Sequence, residues 1–395
     1  MWERYRRVWR APHVPALVLA SVLARVPTGI VSLALVLFVQ DVKGSFAAAG
    51  AVTATFALSA ALLAPMMGRL IDRRGQTRVL VAGIVVHASA TLGLVALGLA
   101  DAPLGAMIAC AVAAGTTPPI SSALRPLWAG LLRDDDLLTA AYALDAILLE
   151  AVFVAGPLVT GLVVALFSPQ AALVLAAVLG VTGTLWFASL GPSREWRGEV
   201  AASRHLAGPL VSPGVRTIAA AALAIGVCFG ALEVSLAAYA TEREQPSLAG
   251  ALIALQAVGS AIGGLWYGAN HERLGPLARG YLVLVLAAPP LIALLAAAPT
   301  LGVLLPLAVL SGVVMAPIAA AENLLVGALA PAGTLTEAFT WVITAVVSGV
   351  ACGNALAGVV VDAAGWRPAL ATACAIALGG GAIALARRRT LVPAG

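Results

Sequence analysis

Four charged side chains lie deep inside long apolar runs. Arg25 interrupts "VPALVLASVLARVPTGIVSLALVLFV" (14–39), Asp145 and Glu150 stand in "LTAAYALDAILLEAVFVAGPLVTG" (138–161), and Glu233 stands in "VCFGALEVSLAAYA" (227–240). A charge at mid-bilayer costs about 2.5–3.5 kcal/mol on insertion scales, so each of these is a candidate functional residue. An arginine and a carboxylate can neutralise one another, whereas a carboxyl in hydrocarbon without a cation near it holds a proton and can exchange it. The apolar runs of the second half contain no arginine or lysine at the depth of Glu233. Glu233 is therefore the first candidate to carry a proton and Glu150 the second; the alternative is a hydrogen-bonded, permanently neutral Glu233. Asp145 sits toward the start of its run, nearer the cytoplasm, where Arg125 could reach it.

Such charges need elements that hold them in a membrane. Of 395 residues, 61% are hydrophobic and 10% charged, and mean hydropathy is +1.01, whereas a soluble domain is about a quarter charged. Runs that are apolar all round and about 20 residues long span a bilayer as helices. Prolines, glycines and charges divide the chain into twelve such runs, near 14–39, 47–68, 77–99, 104–124, 138–166, 169–190, 217–240, 247–269, 278–298, 300–323, 336–361 and 367–386. The longest polar stretch, "GPSREWRGEVAASRHLAGPLVSPGVR", separates the sixth from the seventh. It predicts an N-terminal bundle over 1–191, a linker over 192–215 and a C-terminal bundle over 216–395.

The net charge of +5 comes from 23 basic residues, of which only Lys43 is a lysine. With the N-terminus in the cytoplasm, nineteen arginines fall on that side against Lys43, Arg243 and Arg367 on the other, and Arg25 falls within a span. This is the positive-inside distribution, which places both termini in the cytoplasm and explains the basicity without nucleic acid. The apolar start continues to position 39, too long for a signal peptide, and reads as an uncleaved first span. Cys110, Cys228, Cys352 and Cys374 lie within apolar runs without metal-ligand spacing, and read as buried thiols. His13, His87, His205 and His271 are scattered, and no P-loop, His-x-x-x-His or Gly-x-Ser-x-Gly motif occurs. ATP-driven pumping within this chain is excluded, an enzyme is not expected, and neither a metal nor a cofactor is called for.

Between the second and third runs lies "GRLIDRRG" (68–75), and about two hundred residues later "GANHERLG" (268–275), both Gly-x-x-x-acid-Arg-x-Gly. The segment 138–161 also aligns with "LTEAFTWVITAVVSGVACGNALAG" (335–358), in which Gly156 and Gly161 recur as Gly353 and Gly358. The offsets are 200 and 197 residues, as a duplicated six-span unit requires. Glycines let helix ends approach closely and reverse tightly. A carboxylate at such an end can sit against the positive end of a neighbouring helix, worth about 0.3–1 kcal/mol when exposed.

Twelve spans with Gly68, Asp72, Arg73, Gly75 and Arg78 in "GRLIDRRGQTR" resemble the major facilitator superfamily of secondary transporters, with Gln76 where a basic residue is common. The resemblance covers essentially the whole chain. It implies an all-α integral membrane protein of 12 transmembrane helices in two pseudo-symmetric six-helix bundles. It implies that Asp72, Arg73 and Arg78 latch the halves together on the cytoplasmic side against the start of span eleven, with Glu272 and Arg273 as the duplicated copy. "AGPLVTG", with Gly156, Pro157 and Gly161, is similar to the bend element of drug–proton antiporters, although Thr160 replaces one glycine and span four lacks the antiporters' arginine. Neighbouring spans one and five would pair Arg25 with Glu150, as a structural or a substrate-sensing pair. Tyr142, Phe229, Tyr239, Trp341, Asn323 and Asn354 lie on spans that line the cavity in the family. The implied activity is proton-coupled export of small lipophilic or weakly polar compounds by a monomer in a bacterial plasma membrane, with protons and lipids as partners. The alternative is a sugar- or metabolite-type symporter or facilitator.

Overall fold

Hydrocarbon offers the backbone no hydrogen-bond partner, so each apolar run closes its own bonds as a helix. The computed structural model describes residues 2–132, 135–197, 208–331 and 335–392, and among these no residue forms a β-strand. An amphipathic helix, Trp2–Arg10, precedes the first span. The spans are Val14–Lys43, Phe46–Arg74, Gln76–Leu99, a divided fourth, Asp135–Leu166, Pro169–Ser189, Pro213–Thr241, Leu248–Asn270, Leu277–Ala293, a divided tenth, Leu335–Ala364 and Trp366–Ala386. Among the described residues, ten stretches are long and apolar enough to cross a membrane, and the shorter apolar helices Leu104–Ala114 and Ala151–Leu166 belong to spans four and five.

Two starts are written the same way. Ser168 and Ser212 cap spans six and seven, each hydroxyl accepting from the backbone N–H three residues on, with proline at the first helical position. Proline there forfeits only an N–H that the helix leaves free in any case. Part of the sixth-to-seventh connection, 198–207, lies outside the described residues; its flanks form short helices at Gly191–Glu195 and Gly208–Val211.

The chain folds as two compact units, one of Met1–Phe38 with Leu58–Ala202 and one of Val39–Ala57 with Ser203–Gly395. In the first unit, spans one and five touch backbone to backbone: a β-carbon on Gly156 would collide with Gly29, and Thr160 donates to the carbonyls of Gly156 (2.9 Å) and Ile30 (3.4 Å). Span six meets span one equally closely at Gly183 and Ala24. In the second unit, spans seven and eleven interlock through Gly226, Gly230, Gly349 and Gly353. Gly353, the repeat counterpart of Gly156, rests on Val227 and Ala231 as Gly156 rests on Gly29. The duplicated glycines therefore serve the same close crossing in each unit.

Aromatic and cationic groups lock one end of the second unit. Trp366 meets Tyr239 edge to face at 5.1 Å, Arg243 lies 4.1 Å over the Tyr239 ring, and Arg367 donates to the carbonyls of Ala296 and Ala298. At the knot in the first unit, Gly75 takes φ +85° to turn the chain into span three.

Because nothing can yield at a backbone-to-backbone crossing, Gly156→Val is expected to cost at least the roughly 1–3 kcal/mol of an overpacked site. Thermal unfolding in detergent checks this: a midpoint well below that of wild type is expected, whereas Leu158→Val on the exposed face of the same helix leaves the midpoint unchanged.

Candidate functional site

Spans four and ten, expected as continuous runs at 104–124 and 300–323, are each broken. The fourth consists of Leu104–Ala114 and Ile120–Leu131, the tenth of Leu301–Gly312 and Met315–Leu329. Proline causes both breaks, since it has no N–H and its ring crowds the carbonyl four residues back. Pro118 releases the Ala114 carbonyl, which is met by Nδ1 of the buried His87 in span three. Thr116 turns its hydroxyl onto the Ala113 carbonyl at 2.8 Å. Pro317 likewise cannot serve Val313, whose carbonyl lies against Gly263 of span eight, where any side chain would collide. Span eight supplies the remaining partners: Gln256 donates to the Ser311 hydroxyl at 3.1 Å, and Ser260 accepts the Ala316 N–H at 3.1 Å. Each break thus opens helical backbone at membrane depth and is stitched to an adjacent span within its own unit.

Two deep charges of the first unit, Arg25 and Asp145, lie beside its break. Arg25, nearly fully buried, contacts Asp145 at 2.7 Å, donates to Oγ of Ser21 at 2.8 Å and to the Ser21 carbonyl at 3.1 Å, and reaches the Ser121 hydroxyl at 3.5 Å. Ser121 is in the first turn of the second half of span four. Among the described residues the carboxylate that meets Arg25 is therefore Asp145, which is held by Arg25 rather than by Arg125; the side chain of the expected partner Glu150 lies outside them. Arg25 lies one turn before Gly29 in span one and Asp145 about three turns before Gly156 in span five, the two glycines whose backbone contact fixes how closely those spans approach.

The other sequence candidates are spread through the fold. Glu233 is half-buried in span seven. Tyr239 is packed in the aromatic lock, Phe229 and Trp341 are half-buried, Asn323 is exposed, and Asn354 is fully buried against Gly230. In the knot, Arg73 and Arg78 are exposed. The side chains of Asp72, Tyr142, Glu150 and Glu272 lie outside the described residues, as do those of 335–337 in the first turn of span eleven, which the latch would meet. Among the described residues, no group of three or more His, Cys, Asp or Glu could hold a metal ion.

Three residues with defined roles escaped the sequence reading. His87 serves the broken fourth span. Gln76, the departure from the signature, is fully buried and bridges the Ala123 carbonyl (2.8 Å) and the Ser193 hydroxyl (3.1 Å). Asp362 accepts hydrogen bonds at the start of span two. A histidine 31 residues before the Pro118–Pro119 pair, and an acid three residues before an inter-span glycine, were the available signals.

The family model described as Major Facilitator Superfamily matches residues 17–305. The chain belongs to the major facilitator superfamily. Its fold is shared with a bacterial homologue of the iron transporter ferroportin in an inward-facing state (17% identity, 95% of this chain and 98% of that one, TM-score 0.73). It is shared too with a bacterial homolog of the human lysosomal transporter Spinster (14%, 95% and 96%, 0.73) and with the nucleoside transporter NupG (15%, 94% and 99%, 0.73). No curated protein sequence matches the chain. This member of the superfamily is a multi-pass membrane transporter with the twelve-helix major facilitator fold.

Removing one partner of a buried ion pair strands the other, at about 3–5 kcal/mol, whereas replacing both by apolar groups is often neutral. Asp145→Leu is therefore expected to destabilise the protein strongly, and Arg25→Met/Asp145→Leu to recover most of the loss in thermal unfolding. Equal loss in the double variant would show that the two side chains do not act as a pair.

Proposed function

We propose that this transporter couples the export of small lipophilic or weakly polar compounds to protons by alternating access, acting as a monomer in a bacterial plasma membrane with both termini in the cytoplasm. The observation that carries the reading is the pair of breaks in spans four and ten, with the Arg25–Asp145 pair beside the first. In transporters built from internal repeats, interrupted helices at corresponding positions of the two halves mark the substrate and coupling-ion sites. Irregular backbone at membrane depth is tolerated where it is buried in protein or lines a water-filled route.

The charges divide the work. Arg25 and Asp145 neutralise each other and hold span one against span five, where the Gly156–Pro157 bend resembles the antiporter element. Glu233, half-buried in span seven, is the proton carrier, with Glu150 as the second carboxyl. A compound competing with that proton for the same cavity couples its own exit to proton entry. Few charges in the surrounding spans suit a ligand that is apolar or weakly polar. The cytoplasmic knot of Asp72, Arg73 and Arg78 latches the cytoplasmic side against the start of span eleven while the site faces outward.

Proton release on adding substrate tests this in detergent, with lipophilic cations, antibiotics and sugars as the screened compounds. Release by wild type that is lost in Glu233→Gln is the expected result. Binding without release, unchanged in Glu233→Gln and Glu150→Gln, would exclude antiport and leave a facilitator.

A further inference from the structure

All four glycines with positive φ among the described residues, Gly44, Gly75, Gly275 and Gly365, follow an acid by three positions: Asp41, Asp72, Glu272 and Asp362. Two of these acids close the knot and its copy at the ends of spans two and eight. Asp362 closes span eleven, and its side chain makes a defined set of contacts within the second unit. One carboxylate oxygen accepts the Phe46 N–H at 2.8 Å; the other accepts the Ala47 N–H at 2.9 Å and the Ser45 hydroxyl at 2.5 Å. Ser45 in turn accepts the Ala48 N–H at 3.1 Å. These are N–H groups that the start of a helix leaves without partners, so Asp362 caps span two from 315 to 317 residues away in sequence.

The cap sits at the top of a close helix crossing. A β-carbon on Gly358 would strike the Phe46 carbonyl, and one on Gly50 would strike the Asn354 carbonyl. Below it, Thr53 and Asn354 are fully buried with their side-chain polar atoms unpartnered. Burying such groups unpaired is unfavourable, and they would gain water if this crossing opened. Hydrogen bonds from charged carboxylates, meanwhile, hold it shut. The segment Val39–Ala57 accordingly belongs to the second unit, while the chain on either side of it belongs to the first.

We infer that Asp362 is the gating residue for the end of span two opposite the knot, and that it and Asp72 act as reciprocal latches on the same two helices. In the proposed cycle the acid ending span two engages the start of span eleven; here the acid ending span eleven engages the start of span two. Spans two and eleven are the middle helices of triplets related by inversion in this fold, so each latch is the other turned end for end. When one is engaged the other is released. Asp362 acts through helix position and does not touch substrate. The inference rests on the alternating-access reading.

The test uses Thr53→Cys in the full chain with Cys110, Cys228, Cys352 and Cys374 replaced by alanine, reconstituted in nanodiscs and labelled with a charged maleimide. Loss of a capping interaction of this kind is expected to raise the labelling rate about tenfold in Asp362→Ala. Asp362→Asn, which keeps the volume, is expected to raise it in the same direction, and Asp362→Glu to restore slow labelling. Asp72→Asn is expected to do the opposite and slow labelling below the parent rate, a response that a merely structural role for Asp362 would not produce. If Asp72→Asn slows labelling while Asp362→Ala and Asp362→Asn leave it unchanged, the reciprocal latch is overturned and alternating access stands. If none of these substitutions changes the rate, alternating access itself is contradicted.

Discussion

A polar group that this chain places in hydrocarbon is costly unless it finds its partner within the protein, because the bilayer supplies none. Continuous helices meet that demand along most of each span. What is left over is where the structure becomes specific: the Ala114 carbonyl released by Pro118, the Ala316 N–H at the start of a half-helix, the guanidinium of Arg25 and the first N–H groups of span two. Each has a named partner, and each partner comes from a different span, His87, Ser260, Asp145 and Asp362 respectively. Polar satisfaction therefore sets which spans are stitched together.

Close helix crossings make this stitching possible. In a membrane, helices gain little from excluding water, so association depends on backbones approaching far enough for dispersion and side-chain hydrogen bonds to act. Gly29 with Gly156, and Gly226 with Gly349, provide that approach in the two units. The same crossings put Thr160 within reach of the Ile30 carbonyl and seal Asn354 against Gly230. A unit built this way is rigid at its glycine contacts and irregular at its proline breaks, and a transporter needs both properties.

Much of this was legible in the sequence. Span positions follow from apolar runs, the repeat from the charged knots and from Gly156 and Gly353, and the family from Gly68, Asp72, Arg73, Gly75 and Arg78. Partner choice was not legible. Arg25 takes Asp145, a contact the sequence did not single out, since helix phase at the spans one–five crossing decides which side chains face it, and a span list carries no phase. The breaks were half visible: the Pro118–Pro119 pair announces the first, while Pro317 reads equally as a kink in a continuous helix. His87, Gln76 and Asp362 were missed because each serves a backbone group distant in sequence, which no local pattern encodes.

The central claim is that the two breaks lie on the route that water and substrate follow through the membrane. Hydrogen–deuterium exchange of the protein in nanodiscs tests it most directly. Amides at 115–117, 120 and 313–316 are expected to exchange much faster than those in the interiors of spans seven and eleven, because turn and side-chain bonds hold them in place of a continuous helical ladder and they meet water. Exchange at both breaks as slow as in those continuous spans would contradict the account, leaving the breaks as sealed structural joints.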